Sequence, residues 1–353
     1  MFFQTTNIKN FSLKYKSNSL KKKIKASLRY LISSKSHILS SMKNNYRDSY
    51  DKTLISDFKK YKNINLIGMG GSSLGSKAIY NFLNLKKKNF NFIDNFSNID
   101  LTSNTEKKIN VIISKSGNTL ETICNSNILS NPRKNIILTE KKNSYLFKLA
   151  KKLKAEVVHH NNFIGGRYSV LSEVGMLPAE LMGYKPEKFR RLNQLIKNDK
   201  FLNLIVENVT NILLLAKRNK TNSVILNYDD RSNDLFGWYQ QLVAESLGKK
   251  NIGIFPIISC MPKDNHSTMQ YYLDGKKNAF YTLFFVKEKN SKKIKANGLM
   301  SSHLFLKNKT LNDVSFSQFC ATEMVFKKKR IPFRSIIVNQ RNEETLGELF
   351  TFF

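Results

Sequence analysis

Short apolar runs recur along the chain at Ile64–Ile67, Phe90–Ile93, Val111–Ile113, Ile136–Leu138 and Val157–His159, and stretches with helical spacing separate them. Runs of this length alternating with helices predict parallel strands with crossover helices on both faces of a sheet. A second series follows at Val224–Asn227, Ile252–Ile258, Tyr281–Val286 and Arg334–Val338. Residues 1–60 read as helical and polar, with a stripe of Leu20, Ile24, Leu28 and Leu31 at spacings of three and four. A helical stretch from about 185 to 220 divides the two series. The pattern predicts two α/β units. Residues 1–185 hold the N-terminal helices and the first series, and residues 186–353 hold the second. No Pro/Gly-rich linker marks the soft boundary, so the units are expected to pack tightly.

A length of 353 residues leaves room for two domains. With 41% hydrophobic residues the composition is that of an ordinary globular protein, which excludes a disordered chain, a collagen-like rod and a disulfide-stapled miniprotein. The net charge of +33 is not ordinary. It comes from 48 Lys rather than from Arg, of which there are 11, and 41 Asn accompany it. Both abundant residues have A-rich codons, so drift in composition explains the excess without a partner. Readers of nucleic-acid phosphates favour bidentate Arg, which is scarce here. A functional basic surface is the competing reading. In either case a positive field attracts an anionic substrate.

Cys124, Cys260 and Cys320 lie far apart and form no disulfide framework or Cys-x-x-Cys zinc pair. His159-His160 reads as a strand end. No apolar run reaches the ~18 residues that span a membrane. The N-terminus has no secretory signal pattern, which points to the cytoplasm.

Candidate chemistry gathers where strands end. The first strand runs into Gly68-Met69-Gly70-Gly71-Ser72-Ser73, a glycine-rich turn suited to an anion or sugar, or simply to close helix packing. It is not a dinucleotide fingerprint, because Ser73 stands where the third glycine should be. The third strand runs into Ser114-Lys115-Ser116-Gly117-Asn118-Thr119, whose hydroxyls, amine and backbone amides could ring a phosphate. An ordinary Ser/Thr helix cap is the alternative. Gly165-Gly166-Arg167 brings a guanidinium close to something that could be a developing oxyanion, unless it is a surface turn with a solvated Arg. Gln241 and Glu245 share a helix face at i,i+4, as a positioned general base or as an exposed polar pair. Gly248 is a plausible stop to that helix, on which Tyr239, Val243 and Leu247 share an apolar face. His266, read as lying in the first turn of a further helix capped by Asp264 or Asn265, is a proton shuttle or a structural histidine.

Taken together and in order, five segments resemble the phosphoglucose isomerase family: Ile67-Gly68-x-Gly70-Gly71-Ser72-x-x-Gly75, Ser114-Lys115-Ser116-x-x-Thr119-x-Glu121-Thr122, Gly165-Gly166-Arg167-Tyr168-Ser169-Val170, Gln241-x-x-x-Glu245-Ser246-x-Gly248-Lys249 and Asp264-x-His266-Ser267-x-x-Gln270. The resemblance runs from about residue 64 to the last residue. It implies two sugar-isomerase (SIS-type) α/β/α sandwich domains with parallel sheets, no metal or organic cofactor, and the interconversion of glucose 6-phosphate and fructose 6-phosphate through a cis-enediol. It implies that Gly71 and Ser72 form the first substrate loop, and that Ser114, Lys115, Ser116 and Thr119 hold the phosphate. Arg167 then lies near the C1–C2 edge, Gln241 contacts substrate, and Glu245 is the base. His266 opens the ring and comes from the partner of a homodimer. No specific nucleic acid and no membrane are implied.

The family also carries a lysine in a C-terminal segment like Gln-Pro-x-Val-Glu-x-x-Lys, and residues up to Phe353 contain no such segment. The last stretch, Asn342–Phe353, reads as the helix shortly before it. Asn342 is its cap, and an apolar stripe of Leu346, Leu349, Phe350 and Phe353 meets no stop signal. This is the pattern of an interrupted helix, and it keeps open a sugar-phosphate-binding homologue without turnover, or a partial gene product. A smaller departure is Lys276-Lys277 after Gly275, where the family more often has Gly-Pro.

Overall fold

The computed structural model describes residues 5–12, 17–84, 87–96, 108–129 and 135–353. Its elements in chain order begin with β1 (Thr6–Lys9), α1 (Asn18–Ser33), α2 (His37–Ser41), α3 (Lys52–Lys59), β2 (Asn63–Gly68), α4 (Leu74–Leu83) and β3 (Asn89–Ile93). There follow β4 (Lys108–Ile113), α5 (Leu120–Leu129), β5 (Asn135–Thr139), α6 (Tyr145–Leu153), β6 (Glu156–His159), α7 (Glu173–Met182), α8 (Pro186–Phe189), α9 (Leu192–Leu195) and α10 (Asp199–Ala216). The remainder are β7 (Asn222–Asn227), α11 (Asn233–Leu247), β8 (Phe255–Cys260), α12 (Met269–Asp274), β9 (Ala279–Val286), α13 (Leu311–Lys328), β10 (Phe333–Val338) and α14 (Glu343–Phe352).

Two sheets result. The first has the order β3-β2-β4-β5-β6 and is parallel throughout. The second has the order β1-β10-β9-β7-β8. In it only β1 is antiparallel, pairing Thr6 with Val338 and Lys9 with Ser335. The apolar runs are buried on both faces, as strands covered by helices must be. Ile64, Leu66, Ile67, Val111 and Ile112 are almost fully inaccessible. One continuous core joins Leu66 and Ile113 of the first sheet to Phe284 and Ile336 of the second. Helix α4 of the first unit packs on α11 of the second. Two arginines from the second unit cap the C-terminal end of α4. Arg231 Nη2 donates to the Phe82 carbonyl at 2.8 Å, and Arg341 Nη1 does so at 3.4 Å. Cations at a helix C-terminus meet the negative end of its dipole. Asp229 and Glu288 pair with Arg341 in turn.

Several expectations change. Residues 6–9 form an edge strand of the second sheet, not part of a helical arm; four residues are too few for a period to show. The Leu20–Leu31 stripe does form α1, but it is only half-buried and Leu31 is exposed. The stretch from 185 to 220 is three helices, interrupted at Arg190 and again near Asn198, whose side chain caps α10. Strand β8 starts at Phe255, not Ile252, because Lys250, Asn251 and Gly253 all take positive φ before it. Asn342 caps α14 as expected, its Oδ1 accepting from Thr345 N at 2.8 Å, and Leu346, Leu349 and Phe350 are buried.

Candidate active site

Four loops converge at the carboxyl ends of β2, β4, β5 and β6, where an open parallel sheet leaves a crevice. β2 and β4 are neighbours, but the chain leaves them toward opposite edges of the sheet, and so their loops part. Gly70–Ser72 after β2 is a single 3₁₀ turn. A β-carbon on Gly71 would stand 2.2 Å from the Gly166 backbone, so only glycine allows this approach. On the same turn, the Gly70 backbone lies against Gln241 Nε2.

After β4, the Ser114 hydroxyl is 2.9 Å from the Thr119 hydroxyl and accepts from Gly117 N at 3.2 Å. Ser116 Oγ accepts from Asn118 N. Lys115 Nζ donates to the Asn162 carbonyl at 2.7 Å, which fixes its reach. Ser72, Ser114, Lys115, Ser116 and Thr119 together line a cavity of about 310 Å³, completed by Glu140 and Lys142 from the loop after β5. The sequence reading named neither of these last two. They follow the Ile136–Leu138 run directly, and the signal was that the strand beside β4 must place its own loop beside Lys115. Burial works against ionisation of Glu140, but Lys142 and then Lys115 outweigh it and hold the carboxyl below its ordinary value. His160, just past β6, is fully buried, with Nδ1 3.1 Å from the Asn161 carbonyl and Nε2 unpartnered. Burial pushes its imidazole down to about 4, the Asn161 carbonyl opposing and Lys115 reinforcing the shift.

A second cluster lies on the other side of the Gly70–Ser72 turn. Arg167 opens the 3₁₀ segment Gly166–Leu171. Its Nη1 donates to Glu245 Oε1 at 2.6 Å, and its Nε donates to Ser246 Oγ at 2.8 Å. The Tyr168 hydroxyl is 2.7 Å from the same Ser246 oxygen, and the Tyr168 ring lies 4.7 Å under the guanidinium. Gln241, one turn before Glu245 on α11, donates from Nε2 to Glu245 Oε2 at 3.1 Å. Both carboxylate oxygens are thus held, while 51% of the Glu245 side chain stays open to an incoming molecule. Gln241 Oε1 is buried and without a hydrogen-bond partner, an acceptor awaiting a donor. Ser246 and Tyr168, which grip Arg167, were also missed; Ser246 is the next residue after Glu245 in the motif. On α11 itself Gly248 is the stop, its N–H donating to the Ala244 carbonyl. Tyr239 and Val243 are buried but Leu247 is 51% exposed, so the expected apolar face is shorter by a turn.

His266 does not join either cluster. It is exposed in the 3₁₀ turn Lys263–His266 after β8, ahead of α12 and not within a helix. Asp264 accepts from Cys260 N at 2.7 Å and from Ser259 and Ser267, so it holds this turn instead of capping a helix. Among the described residues no three His, Cys, Asp or Glu side chains are arranged to hold a metal ion.

Comparison with known proteins bears on the family and the fold. The phosphoglucose isomerase family pattern matches residues 39–254. A glucose-6-phosphate isomerase of Methanocaldococcus jannaschii is 34% identical over 329 residues, covering 86% of this chain and 79% of that protein. A probable glucose-6-phosphate isomerase of Methanococcus maripaludis is 33% identical, covering 84% of this chain and 72% of that one. In fold the chain is similar to a hypothetical protein from Thermus thermophilus, with a TM-score of 0.81, 21% identity, and coverage of 95% of this chain and 87% of the other. It is also similar to a glucose-6-phosphate isomerase from Chlamydia trachomatis, with a TM-score of 0.68, 19% identity, and coverage of 96% and 80%. The chain thus shares with these neighbours a mixed α/β fold with parallel sheets.

Proposed function

The chain belongs to the phosphoglucose isomerase family, and from that premise we propose how its residues interconvert glucose 6-phosphate and fructose 6-phosphate in glycolysis and gluconeogenesis. The observation that carries the reading is the Gly70–Ser72 turn. Its Ser72 lines the hydroxyl- and lysine-rich cavity, while its two glycines touch Gln241 and the Gly166–Arg167 backbone. One hexose phosphate lying across this turn has its phosphate among Ser72, Ser114, Lys115, Ser116 and Thr119, and its C1–C2 end at Arg167 and Glu245. Holding the unreactive phosphate end supplies orientation for the reacting end.

In this scheme the Glu245 carboxylate takes the proton from C2 of the open-chain aldose. The electron pair forms the C1–C2 double bond of a cis-enediol, and the negative charge that develops on oxygen faces the Arg167 guanidinium. The same carboxyl returns the proton to C1 while the hydroxyl proton on O2 passes to O1 and C2 becomes the carbonyl, which yields the ketose. Gln241 is a substrate contact beside the base. The scheme uses no cofactor and no nucleic acid. His266 gives a proton to the ring oxygen during ring opening. It is exposed and hydrogen-bonds none of the residues above, so it is assigned to the site of a second copy, and the working unit is a homodimer. No helix among the described residues is long and apolar enough to cross a membrane, and the proposed compartment is the cytoplasm.

The test is Glu245→Gln, assayed for fructose 6-phosphate formation. Removing a general base should lower kcat ~10²–10⁴-fold with KM little changed. A variant as active as the unmodified protein would show that another group moves the proton.

A further inference from the structure

We propose that Lys142 is a second cation of the phosphate cavity, and that Glu140 is its resident counter-ion, which Lys142 exchanges for the substrate phosphate. The inference rests on reading that cavity as the phosphate site. Glu140 is the first residue after β5, and its N–H donates to the Lys115 carbonyl at 3.2 Å, so the two loops are tied side by side. Its carboxylate then bridges two ammonium groups. Oε1 lies 3.7 Å from Lys115 Nζ, and Oε2 forms a close ion pair with Lys142 Nζ. All three side chains line the same cavity.

An anion entering here meets two lysines, four hydroxyl-bearing loop residues and one carboxylate. The carboxylate has little freedom to leave, being only 13% exposed. The Lys142 side chain, at 52% exposed, does. Lys115 also donates to the Asn162 carbonyl, a second anchor that Lys142 lacks among the described contacts. The group free to change partner is therefore Lys142, which can turn from a monoanionic carboxylate to a dianionic phosphate. A phosphate and an ionised carboxylate in one small cavity repel each other, and Glu140 thus opposes binding while it keeps the empty site from carrying two uncompensated cations.

The sign of each substitution follows. Lys142→Met removes a cation that touches phosphate and should raise KM for fructose 6-phosphate ~5–20-fold at unchanged kcat, with inhibition by inorganic phosphate weakened in parallel. Glu140→Gln removes the competing charge and should lower both KM and the inhibition constant of inorganic phosphate a few-fold. Lys148→Met, an exposed lysine on α6 outside the cavity, controls for the loss of one positive charge and should change neither constant. If Lys142→Met left both constants unchanged, or Glu140→Gln raised them, the counter-ion role would be overturned and Glu140 would be a mere support for Lys115. A Ser116→Ala/Thr119→Val double variant separates this failure from that of the underlying site. It should raise KM in any case, and if it did not, the cavity would not be the phosphate site at all.

Discussion

Glu245 and Glu348 are both helical glutamates beside an arginine, one with a side chain 51% exposed and doubly hydrogen-bonded, the other 6% exposed with Oε2 unpartnered. Arg191 stands 4.0 Å from Glu348 without a hydrogen bond, too far to offset the burial. Burial raises the Glu348 carboxyl to about 7, Arg191 opposing and Glu344 adding to it. The effect on stability has a definite sign. Below about pH 4 the folded and unfolded chains both keep this proton, and the ionisation of Glu348 contributes nothing to stability. Between there and pH 7 the unfolded chain releases it while the folded chain retains it, so stability falls as pH rises, by about 3 kcal/mol in all. Glu348→Gln should therefore leave the urea midpoint almost unchanged at pH 4.5 and raise it clearly at pH 8. An equal shift at both pH values would mean that packing, not protonation, sets the cost. At this scale the clustering of Arg167, Gln241 and Glu245 was legible, because their motifs demand these residue types. Glu140 and Lys142 escaped because their position comes from lateral pairing of β5 with β4, and pairing order is not written in the local sequence.

Between strands, the asparagines that composition alone dismisses as drift have a place. Asn91, Asn65, Asn110 and Asn135 stand in register on β3, β2, β4 and β5. Their amides form a ladder, with Asn91 donating to Asn65 at 3.3 Å, Asn65 to Asn110 at 2.9 Å and Asn110 to Asn135 at 2.9 Å. Asn110 also donates to the Leu129 carbonyl at 2.9 Å, which anchors the end of α5. A polar row inside a buried parallel sheet is tolerated only when every member is paired, and a strand slipped by one residue would bury these amides against apolar side chains. Asn110→Val removes the acceptor of the buried Asn65 amide and the donor to the Leu129 carbonyl, and should cost about 3 kcal/mol in a urea titration. Replacing Asn65, Asn110 and Asn135 together by Val should cost less than this single change, because the buried amides go together and the Asn91 amide, which is exposed, turns to water. If the triple variant were the less stable by far, the ladder would not be a coupled unit. The strands themselves were legible as apolar runs. The ladder was not, because its members lie at least 19 residues apart in sequence, as from Asn91 to Asn110, and meet only through register. The β1 strand escaped for the same reason: Thr6–Lys9 gains its structure from the exposed edge of β10.

Over the whole molecule the charge of +33 and the fold bear on one quantity, the capture of a dianionic sugar phosphate. The crevice at the ends of the first sheet's strands rests on a core continuous with the second sheet, and Arg231 and Arg341 clamp the end of α4, so its walls do not have to assemble around the ligand. The local cations Lys115 and Lys142 are partly neutralised by Glu140. What draws substrate from a distance is then the summed field of many scattered lysines, which no single contact reports. That field is screened over ~30 Å at 0.01 M salt but over only ~10 Å at 0.1 M, whereas contacts inside the cavity are screened much less. Raising sodium chloride from ~0.02 to ~0.3 M should therefore lower kcat/KM several-fold through KM, with kcat constant. The slope should persist in Lys142→Met, because one side chain adds little to a field of this size, even as the KM of that variant stands higher at every salt concentration. A kcat/KM independent of salt would mean that the lysine excess is electrostatically idle and that composition drift accounts for all of it. A slope that vanished in Lys142→Met would mean that the attraction is local to the cavity and owes nothing to the rest of the surface.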